Sequence, residues 1–249
     1  MSGHSKWNNI KHKKGATDSK RGKIFTKHAK LIYLSARAGG IDPDMNPALR
    51  TAIVNAKADN LPNANIDKAL KKASGDKDGV KMEELMYECF GPAGTAMCVE
   101  VITDNKNRSV SSVKIICSKN GGNMGASGSI SWMFEKRGVI TAKSKLQDAE
   151  EAELNAIDSG ALDVQFDGDL FEIITESSDL MGVRDRLENS GFEIEKSEIS
   201  YIPKELVKID SLEDANKIIR FIDLLEDDED VSNVYSNFDI PDEILEQIN

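Results

Sequence analysis

The sequence predicts a multidomain protein of mixed α and α+β structure. A small N-terminal helical domain precedes two α+β domains of ferredoxin-like type, one inserted in the other. Three observations lead there. Charge is segregated: residues 1–75 hold 15 Lys or Arg against 5 acids, whereas the rest of the 249-residue chain holds 17 against 38. Up to about residue 78 the apolar residues recur at helical spacing with helix caps and no strand-like alternation. After Gly79 short β-rich runs alternate with amphipathic helices, and over 135–202 they take the order β-α-β-β-α-β, a split unit with both helices on one side of a sheet.

The elements follow in chain order. Residues 1–16 read as an extended basic arm. Thr17 or Asp18 caps a helix that runs to Ala38 and ends at Gly39-Gly40. On its wheel Ile24, His28, Leu31, Ile32 and Ser35 share one side, while Lys20, Lys23, Lys27, Lys30 and Arg37 lie on the other. Asn46-Pro47 opens a second helix to about Asp59, with Leu49, Ala52, Ile53 and Ala56 inward. Pro62-Asn63 opens a third, with Ile66, Ala69, Leu70 and Ala73 inward and Gly75 at its end. Leu85–Phe90 and Thr95–Thr103 are expected strands flanking the turn Gly91-Pro92-Ala93-Gly94. Arg108–Lys119 is an expected helix with Asn107 near its start, followed by a glycine-rich loop and an expected strand Ser129–Phe134. Gly138 is expected to break the pattern before a strand Val139–Ala142. Next come helix Lys145–Asp158, strands Asp163–Phe166 and Leu170–Thr175, helix Asp179–Ser190 and strand Glu193–Ser200. A strand Leu206–Ile209, a helix Leu212–Leu225, the acidic run Glu226–Asp230 and a strand Val231–Asn237 complete the chain. Residues 79–134 lack a helix and a strand that 203–249 supply. The expected division is therefore a basic helical domain 1–78, a discontinuous α+β domain 79–134 plus 203–249, and an inserted domain 135–202.

Composition narrows the class. With 39% hydrophobic and 30% charged residues the chain suits a globular protein. Its apolar runs are too short to span a bilayer, and the N-terminal residues form no secretory signal. Three cysteines without a CxxC pair argue against a zinc ribbon or disulfide framework. A cytoplasmic location is expected, with no membrane and no small-molecule substrate.

The basic end carries the clearest chemistry. Residues 1–40 contain ten Lys or Arg and one acid, Asp18, together with all three histidines. Lysines on an arm and along a helix face neutralise phosphates and displace counterions from a nucleic acid. Trp7, among Lys6, Lys11, Lys13 and Lys14, is placed to stack on an unpaired base. The candidate nucleic-acid-binding residues are Lys6, Trp7, Lys11, His12, Lys13, Lys14, Lys20, Arg21, Lys23, Lys27, Lys30 and Arg37. Against this stand a solvated surface and lysine contacts to the acidic domains of the same chain. The exposed helix face is nearly all lysine, which positions on phosphate better than it reads bases.

Other signals point to structure. His28 reads as a packed histidine, and His4 and His12 lack Cys or carboxylate neighbours for a metal site. Gly121, Gly122, Gly125 and Gly128 lack the Gly-Lys-Ser/Thr ending of a phosphate loop and read as a structural turn. Ser127 has no nucleophile-elbow context and no base. The carboxylates fall in exposed runs, so no catalytic set, cofactor or metal is expected. A net charge of about −21 after residue 75 repels polyanions, placing any nucleic acid on the N-terminal part. The acidic surface confers solubility or meets a basic protein.

The opening GHSKWNNIKHKKGATDSKRGKIFTKHAK, then GGIDPDMNPALRTAI, NLPNANIDKALKKASG, TDNKNRSV, SKNGGNMG and WMFEKRGVI, closely resembles the YebC family over essentially the whole chain. Ala93 stands where the family often has glycine. The resemblance implies a helical domain joined to two α+β domains and no characterised reaction. It also implies a cytoplasmic DNA-binding transcriptional regulator. A similar mitochondrial protein activates translation of a respiratory-chain subunit, and other members act at ribosomes stalled on proline-rich stretches. The expected partner is therefore DNA, or ribosomal or transfer RNA with the ribosome.

Overall fold

A computed structural model describes residues 18–75, 82–145, 148–168 and 170–248. The mixed α and α+β class holds. Two compact bodies emerge: one joins the described parts of 35–75 and 136–201, the other those of 18–34, 82–135 and 202–248.

Three helices come first. α1 spans Asp18–Gly39, α2 Pro47–Ala58 and α3 Asn63–Gly75. The start of α2 is fixed as its sequence demands: Asn46 Oδ1 accepts from Leu49 N at 3.1 Å, and Pro47 occupies the first turn, where no intrahelical N–H is needed. The same Asn46 is buried and donates through Nδ2 to Ser35 O and Gly40 O, both at 2.8 Å, so one side chain ties the end of α1 to the start of α2. Ile66, Ala69 and Ala73 are the buried residues of α3, at the expected spacing.

In the second body β1 (Glu83–Phe90) and β2 (Ala96–Thr103) form an antiparallel pair around a 3-10 turn at Pro92–Gly94. α4 (Lys106–Lys119) follows, capped by Asn105, whose Oδ1 accepts from Arg108 N at 3.1 Å; the expected start near Asn107 lies inside it. β3 is the two-residue Asn123–Met124. Later in the chain come β8 (Val207–Lys208), α7 (Leu212–Glu226), β9 (Val231–Ser236), β10 (Phe238–Asp239) and α8 (Asp242–Leu245). Strands from both stretches join in one sheet of order β3-β1-β2-β9, and β8 pairs in parallel with β10. Alternation puts Cys89, Met97, Val99, Val101 and Val234 on one face. There they share a core with Val113 and Cys117 of α4 and Ile218, Phe221, Ile222 and Leu225 of α7.

The 134–203 segment is contiguous: β4 (Phe134–Ser144), α5 (Ala149–Asp158), β5 (Asp163–Asp167), β6 (Leu170–Glu176), α6 (Leu180–Asn189) and β7 (Phe192–Pro203). Its sheet order is β5-β6-β4-β7, so each β-α-β crossover skips one strand, as in the split unit. Ile140, Ala142, Phe171, Ile173 and Phe192 pack against Ala152 and Ala156 of α5 and Leu180, Val183 and Leu187 of α6.

Two expectations fail between residues 129 and 142. There is no strand over Ser129–Phe134; the chain makes a 3-10 turn at Ser131–Met133. Gly138 does not break β4, which runs through it for 11 residues. The glycine is there for closeness: a Cβ at 138 would collide with Thr175 Oγ1 on β6 and lie 2.9 Å from Leu180 Cδ1 on α6.

Candidate nucleic-acid interface

Of the twelve residues that the sequence nominates for phosphate, Lys6, Trp7, Lys11, His12, Lys13 and Lys14 lie outside the described residues, as does the side chain of Lys20. Arg21 is exposed on the first turns of α1. Arg37, near the end of α1, is exposed and reaches Ala73 O at 3.5 Å.

Lys23, Lys27 and Lys30 do not form an open row of ammonium groups. They are turned onto the acidic segment 226–230 of the same body. Lys23 Nζ meets Asp227 Oδ1 at 2.8 Å and the Asp227 carbonyl at 3.2 Å. Lys27 Nζ donates to Glu226 O at 3.0 Å. Lys30 Nζ is the most enclosed, donating to Glu229 O at 2.6 Å, Ile102 O at 3.1 Å and Asp230 Oδ1 at 3.2 Å. A spacing of one helical turn per lysine matches the carbonyls of a chain leaving α7, so charge and periodicity together set the register. The opposite side of the helix is closed too: His28, Ile32, Tyr33 and Ala36 are buried.

Asp230 is the centre of this clasp. Its side chain keeps 7% of its surface exposed. Besides Lys30 it accepts from Arg108 Nε at 3.1 Å, from Arg108 Nη2 at 2.8 and 3.0 Å, and from Thr103 Oγ1 at 3.0 Å. Burial alone would push this carboxyl up. The hydrogen bonds from Arg108, Lys30 and Thr103 and the charge of Lys30 outweigh it and hold Asp230 below the ordinary aspartate range. The guanidinium of Arg108 also bridges to Asp104 Oδ1 at 2.8 Å. The segment is pinned further by Ser112 Oγ on Asp228 and by Asp230 N donating to Asp228 Oδ1 at 2.9 Å.

The glycine-rich loop holds an anion as well, and that anion belongs to the protein. Glu88, buried on β1, accepts from Gly128 N at 2.6 Å, from Ser131 N at 2.9 Å and from Ile130 N. Gly128 sits at φ 85°, a left-handed conformation that glycine adopts without strain. Burial pushes Glu88 up, but the converging amides win and its carboxyl lies below the ordinary glutamate value. The amide cradle that suggested a phosphate loop is thus filled by an internal carboxylate.

Sequence reasoning did not single out Arg108 or Glu88, and it took Glu226–Asp230 for an exposed, solvating run, whereas Asp230 is buried. The signals available were the lysine spacing and the five consecutive acids, which are complementary in charge and about 200 residues apart. All three cysteines are free and buried. Among the described residues no group of His, Cys, Asp and Glu is disposed to hold a metal ion, and no helix is long and apolar enough to cross a membrane.

Comparison with known proteins adds a family. Residues 5–76 match the model for the TACO1/YebC protein N-terminal domain, and residues 82–238 match that for the TACO1/YebC second and third domain. A protein of Fusobacterium nucleatum named probable transcriptional regulatory protein is 51% identical over 248 residues, covering 100% of both chains. One of the same name from Halothermothrix orenii is 47% identical, covering 100% of this chain and 99% of its own. Among solved structures, a conserved hypothetical protein of Aquifex aeolicus superposes with a TM-score of 0.84 at 42% identity, covering 92% of this chain and 94% of that one.

Proposed function

The chain belongs to the TACO1/YebC family, and from that premise we propose that it is a non-enzymatic, cytoplasmic nucleic-acid-binding regulator of gene expression. The names of its relatives favour DNA and transcription. The observation that carries the reading is the charge segregation: 15 basic against 5 acidic residues over 1–75, in a chain of net charge −11. Lys23, Lys27 and Lys30 hold α1 to segment 226–230. The phosphate contacts are therefore proposed for Lys6, Lys11, Lys13, Lys14, Lys20 and Arg21, with His12 and Arg37 beside them and Trp7 as the stacking residue. The three-domain division 1–78, 79–134 with 203–249, and 135–202 is proposed with it, supported by the two separate apolar cores after residue 82.

A second reading, a ribosome- or RNA-associated translation factor, is favoured by a specific observation. Lys23, Lys27 and Lys30 of α1 are engaged by the carbonyls and carboxylates of 226–230 and His28, Ile32, Tyr33 and Ala36 are buried, so the middle of α1 offers no free lysine face to a major groove. Grip without base reading suits a structured RNA at least as well as an operator.

Binding of the full chain to a DNA duplex, to transfer RNA and to purified ribosomes, each over a salt series, tests both. About six phosphate contacts on duplex DNA give a log–log slope near −5. Alanine at Lys11, Lys13 and Lys14 together should reduce that slope by about 3. A slope near zero on all three targets would sink the nucleic-acid reading; a steep slope on RNA or ribosomes only would move the protein to translation.

A further inference from the structure

The four-stranded sheet of the 134–203 segment has two edges, and they are treated differently. At β7 the side-chain amide of Asn55 stands in for a strand: its Nδ2 donates to Ser197 O at 2.7 Å, and its Oδ1 accepts from Ser197 N at 3.4 Å. Such a cover is how sheets avoid pairing with other chains. At the other edge, β5 pairs with β6 on one side, and among the described residues no strand pairs with its outer side.

That outer edge is also apolar. Phe166 of β5 is about half exposed on the side that carries Val164, which is packed into the core, and Leu162, just before β5, is exposed to a similar degree. Ile157 on α5, the helix that leads into β5, is exposed to the same degree, and Leu154, one turn earlier, more so. The charges on α5 and β5 themselves are all negative; the cation at their connection, Arg186 of α6, donates to Ser159 O at 2.7 Å and is paired with Asp179 at 2.6 Å. Glu150, Glu151 and Asp158 stand three or four residues from Leu154, and Glu153 stands four from Ile157. Asp163 heads β5. No Lys or Arg occurs from 146 to 183.

We infer that the outer edge of β5, with Ile157, Leu162 and Phe166, is a docking site for an extended basic peptide segment of another protein, added as a further strand. Charge complementarity chooses the occupant. A second copy would bring the same carboxylates against Glu150, Glu151, Glu153 and Asp158, and a nucleic acid would bring phosphates; both are repelled. A strand with alternating apolar and basic residues instead supplies backbone pairing along β5, apolar side chains for Leu162 and Phe166, and lysines or arginines for the carboxylates. The inference rests on 150–167 alone and does not depend on the nature of the nucleic acid.

The test uses the full chain and two synthetic eight-residue peptides, one alternating Val and Lys and the other Val and Glu. Amide NMR shifts and fluorescence anisotropy follow the titration. The Val/Lys peptide should shift the amides of 162–167 and bind at least tenfold more tightly than the Val/Glu peptide. Binding should weaken at least tenfold in Glu151→Lys/Asp158→Lys, whose exposed positions leave the fold intact, and in Leu162→Asn/Phe166→Asn. Equal binding of the two peptides, shifts confined to the acidic segment 226–230, or no binding at all would overturn the inference. So would a concentration-dependent dimer, seen by sedimentation, that the same variants abolish, because the occupant would then be a second copy.

Discussion

Glu88 and Asp230 lie in the same compact body, both are buried, and both carboxyls are held below their ordinary values, yet the means are opposite. Glu88 is met by three backbone amides of one short loop, which cost no side-chain ordering and carry no net charge. Asp230 is met by Lys30, Arg108 and Thr103, drawn from three parts of the chain. The first arrangement is local and rigid; the second ties α1, β2, α4 and the segment after α7 together. The difference also concerns inference from sequence. A glycine-rich loop and a lysine-lined helix are the two common signs of an anion-binding protein, and here each binds an anion of the protein itself.

The largest effect is expected at Asp230. Asp230→Ala leaves Lys30 facing carbonyls alone in an enclosed site and should cost about 3–5 kcal/mol in urea denaturation. A cost under about 1 kcal/mol would mean that packing of Ile32 and Tyr33, and not charge, holds α1. Glu88→Gln should cost about 2 kcal/mol. Its signature should be local, with faster hydrogen exchange at Gly128, Ile130 and Ser131 and none at 226–230. Both carboxyls have folded values below their ordinary 4.5 and 3.8. Their contribution is complete above those values and is lost as pH falls through the folded ones. Glu88→Gln should therefore lose less stability than the parent between pH 5 and pH 2.

The clasp itself should prove graded. Lys30, with three acceptors and a side chain 15% exposed, should cost about 2 kcal/mol on replacement by alanine. Lys23, whose ion pair with Asp227 is largely solvated, should cost less than about 1 kcal/mol. Equal losses would show that the lysines act as a uniform charged stripe.

The smallest effect is expected at Glu100 on β2, where burial pushes the carboxyl up and neighbouring Glu84 adds to it, while Asn233 and Ser232 donate to it. Glu100→Gln keeps the acceptor oxygen and removes the like charge. It should raise stability at pH 7 by less than about 1 kcal/mol, a gain that shrinks as the pH falls, because the native carboxyl takes up its proton at a higher pH than an ordinary glutamate.

What could be read from the sequence was local. Asn46-Pro47 announced α2 because the cap and the imino acid act within four residues, and the strand-helix alternation over 135–202 announced the split sheet. Gly138 misled because glycine marks a break and a close approach by the same absence of Cβ, and only the neighbours Thr175 and Leu180 decide which. The lysines of α1 misled for a related reason. A row of cations states that an anion is near, and whether it comes from another molecule or from position 230 depends on a contact 200 residues away in the chain. The expected role of Lys6 to Lys14 falls outside the described residues and stands as proposed above.

That separation has a consequence in time. A chain made at roughly 5–20 residues per second reaches Asp230 about 10–40 s after Lys30. Throughout that interval the lysines of α1 are on the nascent chain while the carboxylate that closes over them has not been made. A shorter gap of about 140 residues separates β1 from β9 in their shared sheet, whereas the contiguous 134–203 segment has all of its strands sooner. Each new N-terminal segment thus begins as an unclasped polycation beside a large polyanion, the ribosome that is making it.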